Sequence, residues 1–155
     1  MPLGAVRELI PRLEAAGLLQ TVPQRGLQVA QVDVKLIKNA FELRLLLDTT
    51  HQAMVQAFEV PASDRYQCVT QHRPGELILE DTGLGYPRSD KVVLLHIVSR
   101  PRSEIQKVQF YRLLAERLEQ NCGVSPNDLI IALVENSDAD WSFGRGRAQF
   151  LTGEL

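Results

Sequence analysis

The stretch at residues 92–106, VVLLHIVSRPRSEIQ, joins an apolar run to the start of a helical pattern, and it decides the fold. The apolar residues at 92–99 predict a buried strand. Ser103, with Gln106 three residues later, forms a capping-box pattern, which marks the N-terminus of a helix. We therefore predict a strand over residues 92–99 and a helix over residues 103–121.

The same order of elements occurs earlier in the chain. The segment EVPASDRY at 59–66 aligns with GVSPNDLI at 123–130, so that Asp64 corresponds to Asp128. A strand, a crossover helix and a second strand favour parallel pairing with a right-handed crossover. The predicted strands cover residues 29–37, 66–72, 92–99 and 129–135, with a short return strand at 77–79, and the predicted helices cover residues 41–58 and 103–121.

This duplication predicts an α/β fold built from two β-α-β units. Side by side, the units form a four-stranded, mainly parallel-paired sheet with two helices on one face. The other face is then apolar and uncovered, and soluble monomers seldom expose such a surface, so we expect an oligomer. Residues 1–29 contain a helical pattern followed by Pro23 and Gly26, which predicts an N-terminal extension of helix and loop. Residues 30–155 form the main domain.

The composition excludes several classes of protein. The chain has 155 residues, a net charge of −2 and a pI of about 5.9, so it lacks the basic charge of nucleic-acid-binding proteins. No apolar run approaches the roughly 20 residues of a membrane span, and no signal peptide is evident; we expect a cytoplasmic protein. Cys68 and Cys122 form no metal-ligand pattern with the histidines, so we expect buried free thiols, no metal and no cofactor.

Two arginines follow the strand at 92–99. Residues two apart in an extended segment face the same side, so Arg100 and Arg102 can point together beside the N-terminus of the next helix. That end carries free N–H groups and partial positive charge, and each guanidinium can donate a planar fork to a carboxylate. The pattern predicts a receptor for a small organic anion. Two solvated surface arginines are the alternative.

Two further features could belong to such a site. Asp64 lies just before the predicted strand at 66–72. It can face the arginines and orient a water or a substrate hydroxyl, or it can be a turn aspartate that bonds its own backbone, which spacing alone favours. The C-terminal stretch DWSFGRGRAQFLTGEL places Trp141, Phe143 and Phe150 among glycines and arginines. These aromatic side chains need a neighbouring subunit or a pocket rim to pack against.

Three segments carry a family resemblance: DRYQCVTQHRPGELILEDTGLGYPRS at 64–89, SRPRSEIQKVQFYRLL at 99–114 and ENSDADWSFGRGRAQFLTGEL at 135–155. They resemble the tautomerase superfamily and, within it, the malonate semialdehyde decarboxylases. The resemblance covers about residues 30–155 and implies a duplicated β-α-β fold and a homotrimer. It also implies a catalytic role for Asp64, substrate binding and catalysis by Arg100 and Arg102, and an apolar wall formed by Trp141, Phe143, Phe150 and Leu155.

One element departs from the family pattern. Members of the family use an amino-terminal proline, whose secondary amine is the acid, base or electrophile. Here the aligned residue is near Ala30, within the chain, where the amide nitrogen is not basic because its lone pair is delocalised. Pro2 could supply an amine only if Met1 were removed and the extension folded back toward the arginines. We therefore expect the usual proline to be missing.

Two functions follow from these observations. The first is weak or altered decarboxylase, hydratase or tautomerase activity, of the lyase or isomerase class, on a short 3-oxo or unsaturated carboxylic acid. The second is a non-catalytic family member that binds small carboxylates or serves only as a trimeric scaffold.

Overall fold

The computed structural model describes residues 3–15, 19–23, 26–29 and 34–155. The chain forms two compact units, Met1–Phe41 and Glu42–Leu155, which are described separately below. The boundary expected from the sequence, between residues 29 and 30, stays a prediction. Among the described helices, none combines the length and apolar character needed to cross a membrane.

The first unit contains a helix and a hairpin. Helix α1 spans Leu3–Ala15, and strands β1 (Leu19–Val22) and β2 (Gly26–Val29) pair antiparallel. Glu14 of α1 accepts a hydrogen bond from the backbone N–H of Thr21 at 2.9 Å, which ties the helix to the hairpin. The helix of the predicted extension is present, but the segment expected to be only a loop contains two strands.

The predicted strand over residues 29–37 is wrong at residues 34–37. Val29 ends β2, and Val34–Phe58 forms a single helix, α2. No glycine or proline interrupts this segment, so the helix extends back through residues 34–37. Residues 30–33, including Ala30, lie outside the described part of the chain.

The second unit contains the predicted β-α-β unit at residues 92–135. Strand β3 spans Val93–Ser99, helix α3 spans Glu104–Cys122, and strand β4 spans Leu129–Glu135. The two strands pair in parallel, in a register that places Ser99 beside Glu135. Helix α3 ends at Gly123 in the left-handed conformation, with φ of 65°, which suits glycine because it has no Cβ.

The core of this unit lies between the sheet and the two helices. Phe58 from α2 and Phe110 from α3 are almost fully buried, with ring centroids 4.7 Å apart. Alternate side chains of β3 and β4, including Leu95 and Ile131, pack against this cluster. The predicted placement of both helices on one face of the sheet is therefore confirmed for these two strands.

The opposite face of the β3–β4 sheet is apolar and open. Because side chains alternate along a strand, this face carries Leu94, His96 and Val98 from β3 and Ile130, Ala132 and Val134 from β4. Val98 and Val134 are 53% and 52% exposed. The sequence prediction of an uncovered apolar face is thus met within the second unit.

The predicted four-stranded sheet is not formed by the described residues. They contain two separate two-stranded sheets, β1–β2 and β3–β4. Residues 66–72 and 77–79, predicted as strands, have no regular secondary structure, and Tyr66 is 75% exposed. With residues 34–37 in a helix, the first predicted strand is not available to pair with residues 66–72, and an unpaired segment forms no hydrogen-bonded ladder.

The two cysteines have different environments. Cys122 ends α3 and is half-buried near Thr49, and burial raises the pKa of its thiol. Cys68 is exposed, so the expectation of two buried thiols is wrong for Cys68. Its segment, residues 66–72, lacks the strand that would have packed it against the core.

Candidate functional site

The site is built where the two parallel strands end. β3 ends at Ser99, and Arg100, Pro101 and Arg102 lead to the N-cap of α3, Ser103. The hydroxyl of Ser103 accepts a hydrogen bond from the backbone N–H of Gln106 at 3.2 Å, and the Gln106 side chain accepts one from the backbone N–H of Ser103 at 3.1 Å. The predicted capping box is confirmed, and it fixes the helix beside the two arginines.

Arg100 is held by a carboxylate and an aromatic ring. Its Nε lies 2.5 Å from Oδ1 of Asp138, and its Nη2 donates to Oδ2 of Asp138 at 3.0 Å. Its Cζ lies 4.6 Å from the centroid of the Phe150 ring, a cation–π contact. The side chain is about half exposed, so part of the guanidinium still faces solvent.

The side chain of Arg102 is held by groups from two elements, α2 and β3. Its Nη1 donates to the carbonyl oxygen of Phe58 at 2.9 Å, and its Nε donates to Oγ of Ser99 at 3.0 Å. The pKa of Arg102 is lowered, first by burial and then by the neighbouring charge of Arg100, while the carboxylate of Asp64 opposes the change. Arg102 is thus fixed and electrostatically coupled to both other predicted catalytic groups.

Glu135 and its ion pair with Lys107 hold the segment from Arg100 to Arg102 in place. Oε1 of Glu135, at the end of β4, accepts a hydrogen bond from the backbone N–H of Arg102 at 3.1 Å and lies 2.6 Å from Nζ of Lys107. The Lys107 ammonium and the Arg102 N–H lower the pKa of Glu135. The carboxyl end of β4 therefore anchors the segment that carries both arginines.

Both arginines line one cleft. The cleft has a volume of about 730 Å³ and is lined by Arg100, Pro101, Arg102, Ser137, Asp138 and Ala139. Each guanidinium is held by named partners and borders the same space, and the receptor for a small organic anion stays a prediction.

The aromatic residues near the C-terminus form a connected cluster. The rings of Trp141 and Phe143 stack with centroids 5.4 Å apart, and Phe150 meets Phe143 edge-on at 5.4 Å. Nε1 of Trp141 donates to Oδ1 of Asn136 at 2.9 Å. Through Phe150 the cluster reaches Arg100. Leu155, the fourth residue of the expected wall, is 69% exposed.

Asp64 lies in a turn, as one of the two interpretations of the sequence expects, and its catalytic role stays a prediction. Its backbone N–H donates to the carbonyl of Pro61 at 2.9 Å, as in a turn, and its side chain is exposed. Its charge nevertheless acts on Arg102. The equivalent Asp128 is buried and accepts hydrogen bonds from the N–H and hydroxyl of Ser89 at 2.6 and 2.7 Å. The two aspartates of the repeat thus differ in environment.

The sequence reasoning missed Asp138 and Glu135. Arg100 follows β3 and Asp138 follows β4, and the carboxyl ends of parallel strands meet at the same edge of a sheet. That rule, applied to the acidic residues of ENSDAD, would have placed them beside the arginines.

Pro2 and Ala30, the two positions considered for the amine, lie outside the described residues. Within the described part of the chain, no group of three or more histidine, cysteine or acidic side chains is arranged to hold a metal ion.

Comparisons with known proteins find similarity over more than half of this chain. The protein family described as "Tautomerase enzyme" matches residues 64–144. The chain is 55% identical over 113 residues to the probable tautomerase YrdN of Bacillus subtilis (strain 168), covering 73% of this chain and 88% of that protein.

Two solved structures are similar over most of the chain. A malonate semialdehyde decarboxylase, whose structures address its decarboxylase and hydratase activities, is 69% identical, with a TM-score of 0.73 over 75% of this chain and 90% of that chain. The FG41 malonate semialdehyde decarboxylase inhibited by 3-bromopropiolate is 40% identical, with a TM-score of 0.71 over 74% of this chain and 88% of that chain.

Proposed function

Because this chain belongs to the tautomerase superfamily, we propose that it binds a short 3-oxo or unsaturated carboxylic acid through Arg100 and Arg102. We propose that it acts on this acid as a decarboxylase, hydratase or tautomerase, with malonate semialdehyde as the first substrate to test. The proposal is supported above all by one observation: both arginines border a single cleft beside the aromatic cluster. The similarity to two malonate semialdehyde decarboxylases agrees with it.

The two arginines suit a carboxylate. Nη1 of Arg100 and Nη2 of Arg102 have no hydrogen-bond partner among the described residues, whereas the other nitrogens of both guanidiniums are engaged. A hydrogen bond to a charged group contributes about 1.5–3 kcal/mol, so two such bonds hold a small acid without a deep pocket.

The same charges favour loss of CO₂ from a 3-oxo acid. When the bond between the carboxylate carbon and C2 breaks, its electron pair moves toward the former carbonyl oxygen, and C2 then takes a proton to yield the aldehyde. A fixed cation beside that oxygen stabilises the charge as it develops. In this proposal one guanidinium holds the carboxylate end and the other polarises the carbonyl. The aromatic cluster of Trp141, Phe143 and Phe150 favours release of uncharged CO₂.

Asp64 is the candidate base for hydration. Its carboxylate is exposed and acts electrostatically on Arg102. In this proposal a water near Asp64 loses a proton to the carboxylate as its oxygen attacks C3 of an unsaturated acid, the electron pair of the double bond moves toward the carbonyl group of the acid, and C2 then takes a proton. No amine is assigned in this mechanism, and we therefore expect turnover to be weak relative to a site that contains one.

We also propose that the chain works as a homotrimer. The open apolar face of the β3–β4 sheet supports this, because an oligomer would cover Val98 and Val134.

One observation favours a second candidate. Asp138 already occupies two nitrogens of Arg100, which suits a family member that binds small carboxylates without converting them or serves only as a trimeric scaffold.

An assay with malonate semialdehyde separates the two candidates. Release of acetaldehyde and CO₂ faster than in buffer alone supports the enzyme. This release should be lost in Arg100→Ala and kept in Arg112→Ala, a change on the exposed face of α3. Carboxylate binding without turnover supports the binding protein. Neither binding nor turnover would leave only the scaffold.

A further inference from the structure

Asp138 occupies one edge of the Arg100 guanidinium, and this contact affects which acids can bind to the cleft. Asp138 lies in the 3₁₀ turn Asp138–Asp140, which follows β4, and its two oxygens contact Nε and Nη2 of Arg100 at 2.5 and 3.0 Å. A second carboxylate cannot take the same edge of the guanidinium. The ligand is left with the remaining N–H groups of the terminal nitrogens, of which Nη1 of Arg100 and Nη2 of Arg102 have no hydrogen-bond partner among the described residues, and these donors suit the oxygens of a carboxylate.

The charges around the arginines leave no cation for a second carboxylate. Among the described residues, Asp138 pairs with Arg100, and Glu135 pairs with Lys107, on which the charge of Glu104 also acts. Arg102 is the remaining cation of the site, and the charges of Arg100 and Asp64 act on it. A ligand with two carboxylates therefore brings a second negative charge near Asp138, with no unpaired cation among these residues to offset it.

We propose that Asp138 is a specificity-determining residue that restricts this cleft to acids with one carboxylate. This inference rests on the proposed function. It adds that the end of the substrate remote from the carboxylate is uncharged, as in an aldehyde, a ketone or a carbon–carbon double bond. Asp138 acts in two ways. It occupies the edge of the Arg100 guanidinium formed by Nε and Nη2, and its charge repels a second carboxylate.

Propionate and malonate test the proposal, because both have three carbons and carry one and two carboxylates. Binding of each acid to the full-length protein is measured by NMR titration at pH 7.5. The wild-type protein binds propionate at least as tightly as malonate. Asp138→Asn removes the charge while keeping an oxygen that accepts from Arg100, and it raises the affinity for malonate about tenfold, with less than about threefold change for propionate.

Two variants serve as controls. Asp138→Glu restores the charge and keeps the wild-type ratio of the two affinities. Glu116→Gln removes one negative charge from the exposed face of α3, where Glu116 pairs with Arg112, and also leaves the ratio unchanged.

The outcomes separate this inference from the proposed function. An unchanged ratio in Asp138→Asn, with propionate binding that is lost in Arg100→Ala, overturns the role of Asp138 and leaves the proposed function standing. Binding of neither acid by the wild-type protein overturns both. If Asp138→Asn fails to fold, the wild-type protein alone still decides, because tenfold tighter binding of malonate than of propionate contradicts the proposal.

Discussion

The guanidinium of Arg102 lies over the ring of Phe58, with Cζ 5.2 Å from the centroid, and its Nη1 donates to the carbonyl oxygen of the same residue. Phe58 is the last residue of α2, so its carbonyl has no partner within the helix. One side chain therefore closes the C-terminus of α2 and belongs to the candidate site. This double role makes Arg102 a structural residue as well as a ligand-binding candidate.

Arg102→Lys should therefore destabilise the fold. Lysine has a single nitrogen, which cannot reproduce the separate positions of Nε and Nη1 that bond Ser99 and Phe58, and it lacks the planar group that lies over the ring. We expect a loss of about 2 kcal/mol in the free energy of unfolding, measured by urea denaturation. Arg112→Lys, which affects only an exposed pair within α3, should change it by less than about 0.5 kcal/mol. Equal effects of the two substitutions would contradict the structural role.

Phe110→Ala should cost much more. Phe110 is fully buried and packs against Phe58, so its removal leaves a cavity between the two helices. The expected loss is about 3–5 kcal/mol in the free energy of unfolding. Ile105→Ala in the first turn of the same helix is the matched control, because Ile105 is 80% exposed; a large effect there would mean that this face is covered in solution.

Asp128 should make stability depend on acid pH. Hydrogen bonds from the N–H and hydroxyl of Ser89 hold the pKa of Asp128 below its usual value. Because the folded-state pKa is the lower one, the stabilisation is complete above the unfolded-state pKa, about 3.9, and is lost as the pH falls through the folded-state pKa. Thermal melts from pH 6 to pH 2 should show this loss in the wild-type protein.

Ser89→Ala tests the cause of that pH dependence. It removes the hydroxyl donor, so the melting temperature should fall near pH 6 and depend less on pH between 4 and 2. Asp90→Asn, at the exposed neighbouring position, should leave the difference between these pH values unchanged. A Ser89→Ala variant with the full wild-type pH dependence would assign the effect to other carboxyl groups.

Val98→Asp should prevent self-association. Val98 lies on the open face of the β3–β4 sheet, and burying an unpaired carboxylate in an interface is strongly unfavourable. Sedimentation velocity should show a trimer for the wild-type protein and a smaller species for the variant. Val108→Asp, on an exposed part of α3, should sediment like the wild-type protein. A wild-type monomer would disprove the proposed trimer directly.

The sequence predicted the β3-α3-β4 unit well because its signals are local and agree with one another. The apolar run before Arg100, the capping box of Ser103 and the glycine after Cys122 each mark one boundary. The strand predicted at 29–37 is wrong at residues 34–37 because a short apolar segment alone does not distinguish a strand from a helix. In a segment that lacks glycine and proline, residues 34–37 extend α2 instead.

The candidate site was predictable only in part. Arg100 and Arg102 stand out because they are two residues apart after a buried strand. Asp138 lies 38 positions from Arg100 in the chain, and its contact depends on the parallel pairing that brings the ends of β3 and β4 together. Local spacing carries no information about that contact, which is why the carboxylate that restrains Arg100 was missed.

The contrast between the two thiols makes the wild-type protein suitable for site-selective labelling. A maleimide dye should attach to Cys68, which is exposed, much faster than to Cys122, whose thiolate is disfavoured by burial. The fluorophore then sits four positions after Asp64. Its emission would then test, without any engineered cysteine, whether an added acid changes the surroundings of this segment.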